Sequence, residues 1–241
     1  MLLSVAFCPP VSWFAAAARD FTLSPDRVIA SQVGLEACEH FQKQSYRNRC
    51  RILTANGVEN LQVPVVHGTD LYRTPIREVP VDYSTPWIAK MERAVMSAYE
   101  SSAYFFHYRD DFFALLERRP QTLWELDLSL VRFFLAKTGL AVEFRPTEIY
   151  ERDPFGEQEA RRPDGTGPDG LPCEDLREVI HPKRPNGILR SLALEKPYFQ
   201  VFAGKYGFQS DLSVMDLLFN EGPDSILYLK RSVSPCPGAG S

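Results

Sequence analysis

Apolar residues come in short bursts at the start of the chain and at helical spacing through its middle. Leu2 to Phe7 is an apolar run stopped by Pro9-Pro10, which predicts a buried first strand. Val11 to Arg19 reads as a helix with a proline just before its start. Arg27-Val28-Ile29-Ala30 predicts a second short strand. Strand, helix and strand in this space suggest a parallel βαβ unit. Pro9-Pro10-Val11-Ser12 then lies at the carboxyl end of a strand and the start of a helix, where open α/β sheets usually carry a ligand crevice.

Arg51 to Ala55 and Leu61 to Val65 flank Asn56-Gly57, which predicts a hairpin with a type I′ turn. Val65 to Asp70 leaves it as a loop, and Ile76 to Val81 is readable as another strand. The middle is helical. Trp87, Met91, Val95 and Tyr99 fall four apart on one face, with Ser84 or Thr85 as a cap and Pro86 in the first turn. Tyr104 to Glu117 and Leu123 to Lys137 follow as helices, the second ending near Gly139, and Val142-Glu143-Phe144 returns to the sheet. Leu212 to Phe219 and Asp224 to Leu229 are two short helices split by Asn220-Glu221-Gly222-Pro223. The predicted class is α/β or α+β: an N-terminal βαβ unit, a hairpin, and helical middle and C-terminal parts around one mixed sheet. A single domain spans 1–231. A mobile loop is expected at about 151–172, where apolar residues are scarce, and a frayed tail at 232–241.

Charge and cysteines narrow the function classes. Lys+Arg 27 against Asp+Glu 31 gives a net charge of −4, which argues against a general nucleic-acid binder. The five cysteines are widely spaced with no CxxC pattern, which suits free thiols in a reducing cytoplasm. The N-terminal apolar run lacks a basic region and Phe14 to Ala18 is too short to span a membrane, so a cytoplasmic protein is expected. GxxxxGK[ST] and GxSxG are missing from the sequence, and its GxGxxG match, Gly165 to Gly170, lies in the apolar-poor stretch and not between a predicted strand and helix. No His, Asp and Glu spacing suits a metal, so neither metal nor cofactor is expected.

The most distinctive stretch is Gln42 to Arg51, with four cations and no acid. As a strand it would put Arg47, Arg49 and Arg51 on one side and Tyr46, Asn48 and Cys50 on the other. Three guanidinium groups on a ridge suit a phosphate or carboxylate. The same pattern also suits an edge strand whose charges deter pairing. Cys50, flanked by arginines, is a candidate nucleophile with His67 or His181 as base, or else a small buried residue beside Ile52. His181, beside Lys183 and Arg184, suits acid–base work or a helix C-terminus. Asp211 is placed to cap a helix that Gly222 ends. Asp216, an acid in an apolar helix, either faces solvent or pairs with one of the arginines, and pairing is the expectation.

Several ordered stretches resemble the WbqC-like proteins: Pro9-Pro10-Val11-Ser12-Trp13-Phe14, Gln44 to Ile52, Tyr83 to Trp87, Ser97 to Phe105 and Asp211 to Gly222. The family is named from O-antigen gene clusters, so the resemblance implies a cytoplasmic step in cell-surface polysaccharide synthesis. More distant relatives often carry asparagine at the position of Cys50 and Gln-Pro near Cys8. The resemblance therefore shifts weight from Cys50 to Asn48 and Arg49. The expected ligand-binding set is Asn48, Arg49, Arg47, Arg51, Gln44, Tyr46, Asp216 and Asn220, of which the resemblance favours Asn48 and Arg49. The first expectation is a transferase adding an acyl or aminoacyl group to a nucleotide-activated amino sugar, or binding another anionic small molecule. Arg49 would hold the anion, Asn48 would orient it, and His181 or His67 would act as base. A non-catalytic binding or scaffold protein of the same pathway is the alternative, and a nucleotidyltransferase-like βαβ reading ranks last.

Overall fold

In a computed structural model, the structure describes residues 1–23, 28–68, 70–150, 152 and 174–231. The loop expected at about 151–172 and the tail at 232–241 lie outside them, apart from Arg152. The chain mixes a parallel three-stranded sheet, a separate antiparallel hairpin, and helices in its middle and C-terminal parts.

Strand β1 (Leu2–Ser4) leads through Val5-Ala6-Phe7 and Pro9-Pro10 into helix α1 (Val11–Ala17), every residue of which is buried. The chain then returns to pair with β1 in parallel, so the βαβ unit is present. Its second strand, however, is β4 (Ser31–Glu36), not Arg27 to Ala30. Val28–Ile29 forms the two-residue strand β3, antiparallel to β2 (Thr22–Leu23). Both residues of β3 are exposed. Ser31 to Glu36 was hard to read because its apolar members, Val33 and Leu35, alternate with Gln32 and Gly34. Strand β7 (Val142–Pro146) pairs in parallel with β4 and completes the order β1-β4-β7.

Strands β5 (Arg49–Thr54) and β6 (Gly57–Gln62) make the hairpin. It keeps its own ladder instead of joining one mixed sheet. Its turn also differs from expectation. Thr54 pairs with Gly57, so Ala55-Asn56 are the central residues. Only Gly57 takes a positive φ, 106°, as at a glycine that follows a tight turn, and Asn56 does not. Residues Ile76–Glu78 form a short 3-10 helix in place of the expected strand. Pro75 and Pro80 bracket it and cannot donate to a ladder.

The helical part follows the apolar spacing closely. Helix α2 (Trp87–Tyr99) buries Trp87, Met91, Val95 and Tyr99. Pro86 stands at its N-cap, and neither Ser84 nor Thr85 caps it with a side chain. Helices α3 (Phe105–Glu117) and α4 (Leu123–Thr138) follow. A reciprocal capping box between Thr122 and Glu125 starts α4, and left-handed Gly139 ends it. Near the C-terminus come α5 (Ala203–Tyr206), α6 (Val214–Glu221) and α7 (Ser225–Arg231). Helix α6 is the core's axis: Val214 to Asn220 are all buried, and α1, α2, α3 and α4 pack round it. The Phe219 ring meets Tyr99, Phe105 and Phe112 at 5.3, 5.2 and 6.1 Å.

The start of α6 is tied to the first loop. Val11 N–H donates to Leu212 O at 2.9 Å, and Val214 N–H donates to Pro9 O at 2.8 Å. Ser213 N–H reaches Arg51 O of the hairpin at 2.8 Å, and its hydroxyl donates to Cys8 O at 2.9 Å. Ser213, not Asp211, caps α6, accepting from Met215 N–H. Asp211 instead accepts from Ser12 N–H at 2.9 Å and from the Asn186 amide at 2.8 Å.

Gly222 ends α6 with φ 54°, and a Cβ there would lie 2.5 Å from the Tyr104 ring. Gly222→Ala is expected to lower stability by about 2–3 kcal/mol through left-handed strain and overpacking. Denaturant unfolding measures this; a midpoint equal to wild type would contradict it.

Candidate functional site

The Gln42 to Arg51 block does not run as one strand. Ser45 starts a 3-10 turn over Tyr46–Asn48, accepting from Arg47 N–H while its hydroxyl donates to Gln42 O at 2.8 Å. Strand geometry begins only at Arg49. The expected ridge of three arginines is therefore broken into three environments. Arg47 turns inward and forms a buried ion pair with Glu39, with Nε 2.9 Å from Oε1. Ser4 joins the pair, accepting from Arg47 Nη2 at 3.0 Å and donating to Glu39 at 3.2 Å. Burial still pushes the Glu39 carboxyl up, against the pull of Arg47. Arg51 bonds the Tyr46 side chain and acts on Asp211. Burial pushes the Tyr46 phenol up to about 12.

Arg49 goes elsewhere. It lines a cavity of about 370 Å³ together with Asn48 and with Gln62 of the facing strand. The other walls are Phe41, Lys43 and Gln44 from the loop after β4, and Pro64, Val65 and His67 beyond β6. None of these lining residues is acidic. Arg49 Nη2 donates to the Gln62 amide oxygen at 3.3 Å, but its Nε is buried without a partner. Among the described residues no carboxylate pairs with this guanidinium, and desolvation lowers its pKa. Asn48 is 3% exposed. Its amide donates to Val63 O at 2.9 Å, and its Oδ1 has no partner. A half-buried cation with one buried, unpartnered nitrogen and an orphan acceptor on the preceding residue thus belong to one cavity.

Backbone bonds hold this cavity open. Val63 N–H donates to Asn48 O at 2.8 Å, closing one wall. Phe41 N–H donates to Thr74 O at 3.2 Å, and Ile76 N–H donates to Glu39 O at 2.8 Å, fixing the opposite loop. Gln44 sits at φ 60°, a left-handed conformation that costs a non-glycine residue about 1 kcal/mol or more.

The structure thus brings Gln44, Asn48, Arg49 and His67 together and leaves the other candidates elsewhere. Cys50 is 1% exposed and faces the core beside Cys8, whose thiol pKa burial and the Cys50 hydrogen bond push up. Asp127 lies near both, and burial holds its carboxyl well above the usual range. His181 accepts from Lys183 N–H and does not line the cavity; burial and then Arg184 lower its pKa. Asn220 donates to Asp216 O at 2.8 Å inside α6. Phe41, Gln62, Pro64 and Val65 are lining residues that sequence reasoning missed, and Lys43 lay within the Gln42 to Arg51 block without being singled out. Gln62 was hidden by the turn: an Asn56-Gly57 turn would set it opposite Arg51, whereas the observed register sets it opposite Arg49.

Among the described residues, no group of three or more His, Cys, Asp or Glu could hold a metal ion, and no helix is long and apolar enough to cross a membrane. A sequence model of the WbqC-like protein family matches residues 30–159, more than half of the chain. All nine residues lining the cavity fall within that stretch, and the Asp211 to Gly222 segment falls outside it. No curated protein and no solved structure matches the chain.

Asp216 needs a correction of its own. It is buried in α6 and pairs with no arginine, because every arginine of the block is engaged or placed elsewhere. Its Oδ2 accepts from the Tyr198 hydroxyl at 2.6 Å and from the Gln200 amide at 2.9 Å. Burial raises its pKa from 3.8 to about 6. The folded state thus holds this proton more tightly than the unfolded chain does. Its penalty is absent below about pH 4, grows as pH rises, and reaches roughly 3 kcal/mol above pH 6. Asp216→Asn keeps an oxygen acceptor and removes the charge. It is expected to be more stable than wild type at pH 7.5 and to lose that advantage at pH 4. Thermal unfolding at both pH values measures this, and an equal difference at both would contradict it.

Proposed function

The chain belongs to the WbqC-like protein family, and we propose that it binds a phosphate-bearing sugar in the Asn48–Arg49 cavity and modifies it in cell-surface polysaccharide synthesis. The observation that carries this reading is Arg49, a half-buried cation with no acid among the described residues lining its cavity, next in the chain to Asn48 with its orphan Oδ1. Arg49 and Lys43 supply the positive charge that a phosphate needs, and a guanidinium offers it a planar fork of donors. Asn48 Oδ1 accepts from a hydroxyl or amino group of the same ligand. Phe41, Pro64 and Val65 give the ligand an apolar wall. His67 is the lining side chain able to take a proton. In an acyl or aminoacyl transfer to an amino sugar, the sugar nitrogen bonds the acyl carbon of an activated donor, the bond from that carbon to the donor's leaving group breaks with its electron pair going to the leaving group, and His67 takes the proton the nitrogen loses. Solution in the cytoplasm fits such a nucleotide-activated substrate.

A non-catalytic binding protein of the same pathway remains a second reading. It is favoured by the burial of Cys50 and the placement of His181, which leave the cavity without a nucleophile. The nucleotidyltransferase-like reading is disfavoured. Its parallel β1–β4 pairing is present, but the Asp211 carboxylate already occupies Ser12 N–H at the start of α1.

Titration calorimetry with inorganic phosphate and a panel of nucleotide sugars tests the reading. Wild type is expected to bind, and Arg49→Ala to bind roughly 10- to 100-fold more weakly, as for a lost charge-assisted hydrogen bond. Equal binding by Arg49→Ala, or none by wild type, overturns it. His67→Ala separates the two versions: the transferase loses turnover and keeps affinity, whereas the binding protein yields no product even as wild type.

A further inference from the structure

A second cavity of about 320 Å³ adjoins the first. It lies beyond the carboxyl ends of β4 and β7, where the chain emerges as Glu39 to Gln42 and as Tyr150. Tyr72 forms its remaining side. One loop walls both cavities. Phe41 lines each of them, and Lys43 of the first cavity lies 4.5 Å over the ring of Tyr72 in the second. Each cavity alone is at the small end of the range of roughly 300–1,000 Å³ for ligand sites, so a sugar joined to a phosphate-bearing group fills both.

The chemistry of the second cavity differs from that of the first. Among the described residues its one carboxylate is Glu39, which is already paired with Arg47. Tyr72 and Tyr150 are 42% and 53% exposed. Each ring also has a cation near it, Lys43 for Tyr72 and Arg177 at 5.1 Å for Tyr150. A ring that already serves one cation attracts a second poorly. What suits two half-open tyrosines, an imidazole and an amide is a neutral ring with apolar C–H faces and hydroxyl edges. The C–H faces pack on the aromatic rings and the hydroxyls bond His40, while the Gln42 amide already donates to Glu178 and accepts from Arg47.

We propose that this second cavity is a hexose subsite, so that one ligand spans Phe41 with its phosphate on Arg49 and Lys43 and its pyranose on Tyr72 and Tyr150. The inference rests on the anion reading of the first cavity, and the ligands can be chosen to separate the two. Binding of inorganic phosphate, a hexose 1-phosphate and a nucleoside 5′-monophosphate is measured by calorimetry on the full chain. The same ligands are run on Tyr150→Ala and Tyr72→Ala, with melting curves to confirm folding. The hexose 1-phosphate is expected to bind wild type about tenfold more tightly than phosphate does, as for one packed ring. Tyr150→Ala is expected to abolish that gain and leave phosphate affinity unchanged. Tyr72→Ala abolishes it too, with a small loss for phosphate because Lys43 loses its ring. A hexose phosphate no tighter than phosphate, a gain that survives both variants, or a gain for the nucleoside monophosphate alone overturns the hexose subsite and leaves the anion reading standing. If no phosphate compound binds wild type, both fall. If the hexose gain depends on the tyrosines but not on Arg49, the anion reading falls and the subsite stands.

Discussion

The segment Asp211 to Val214 is held between the first loop and the hairpin, and the arrangement of the molecule depends on that contact. Val11 and Val214 exchange backbone bonds with Leu212 and Pro9, Ser213 adds a bond to Arg51, and the Ser213 hydroxyl closes on Cys8 O. The N-terminal βαβ unit, the hairpin and the C-terminal helix pair are far apart in sequence, and these few bonds set their relative positions. The contact has a cost: Cys8 at φ 41° and Asp211 at φ 57° are both left-handed non-glycine residues, each costing about 1–3 kcal/mol. Such strain persists only where surrounding bonds over-determine the backbone, and here they do. The buried Asp211 carboxylate is part of that. It satisfies Ser12 N–H at the start of α1, a donor that would otherwise be left open inside the protein.

The hairpin is thereby aimed, and the buried Arg47–Glu39 pair sets what it aims at. An ion pair of this kind is weak evidence of net stability, since two charges must leave water. Its effect is geometric. With Ser4 it anchors the loop after β4 to the end of β1, so the loop passes between the two cavities at a fixed distance from the hairpin. Removing one partner would leave the other charge buried and unpaired, which costs more than the pair contributes. Arg47 therefore shapes the wall between the cavities through Glu39 and does not line the cavity that holds Arg49.

The legible parts of the sequence were those where one local signal dominates. Helix α2 was read to its end residues because four large side chains at a spacing of four leave no competing pattern, and Gly139 marked the end of α4 without ambiguity. The parallel βαβ unit was legible as a class, although β4 was not, because Gln32 and Gly34 interrupt its apolar residues. Ile76 to Val81 was misread for a reason also present in the sequence, since the flanking prolines cannot join a ladder. Within the site, the block from Gln42 to Arg51 was found from its charges. Its three arginines were then assigned to one ridge because period-2 alternation was applied across a Ser45-capped 3-10 turn. The partner of Asp216 was beyond reach for a different reason: Tyr198 and Gln200 come from an irregular stretch with no periodicity to place it.

The fate of the three arginines bears on function more than their number does. A guanidinium in a protein normally finds a carboxylate or open water. Arg47 has the first, and Arg51 is engaged by Tyr46 and Asp211. Arg49 has neither in full: its Nε is buried without a partner, and burial alone lowers its pKa. Gln44 and Gln62, which line the same cavity, are both amides, and Gln62 bonds the guanidinium without neutralising it. An amide can orient a guanidinium without competing for the anion that completes it. The same logic applies to Asn48, whose amide hydrogens are used on Val63 O while its oxygen is left over. A cation without a counter-ion and an acceptor without a donor are each unfavourable in the free protein. In the function proposed above, one ligand bearing both an anionic group and a hydrogen-bond donor satisfies the two together.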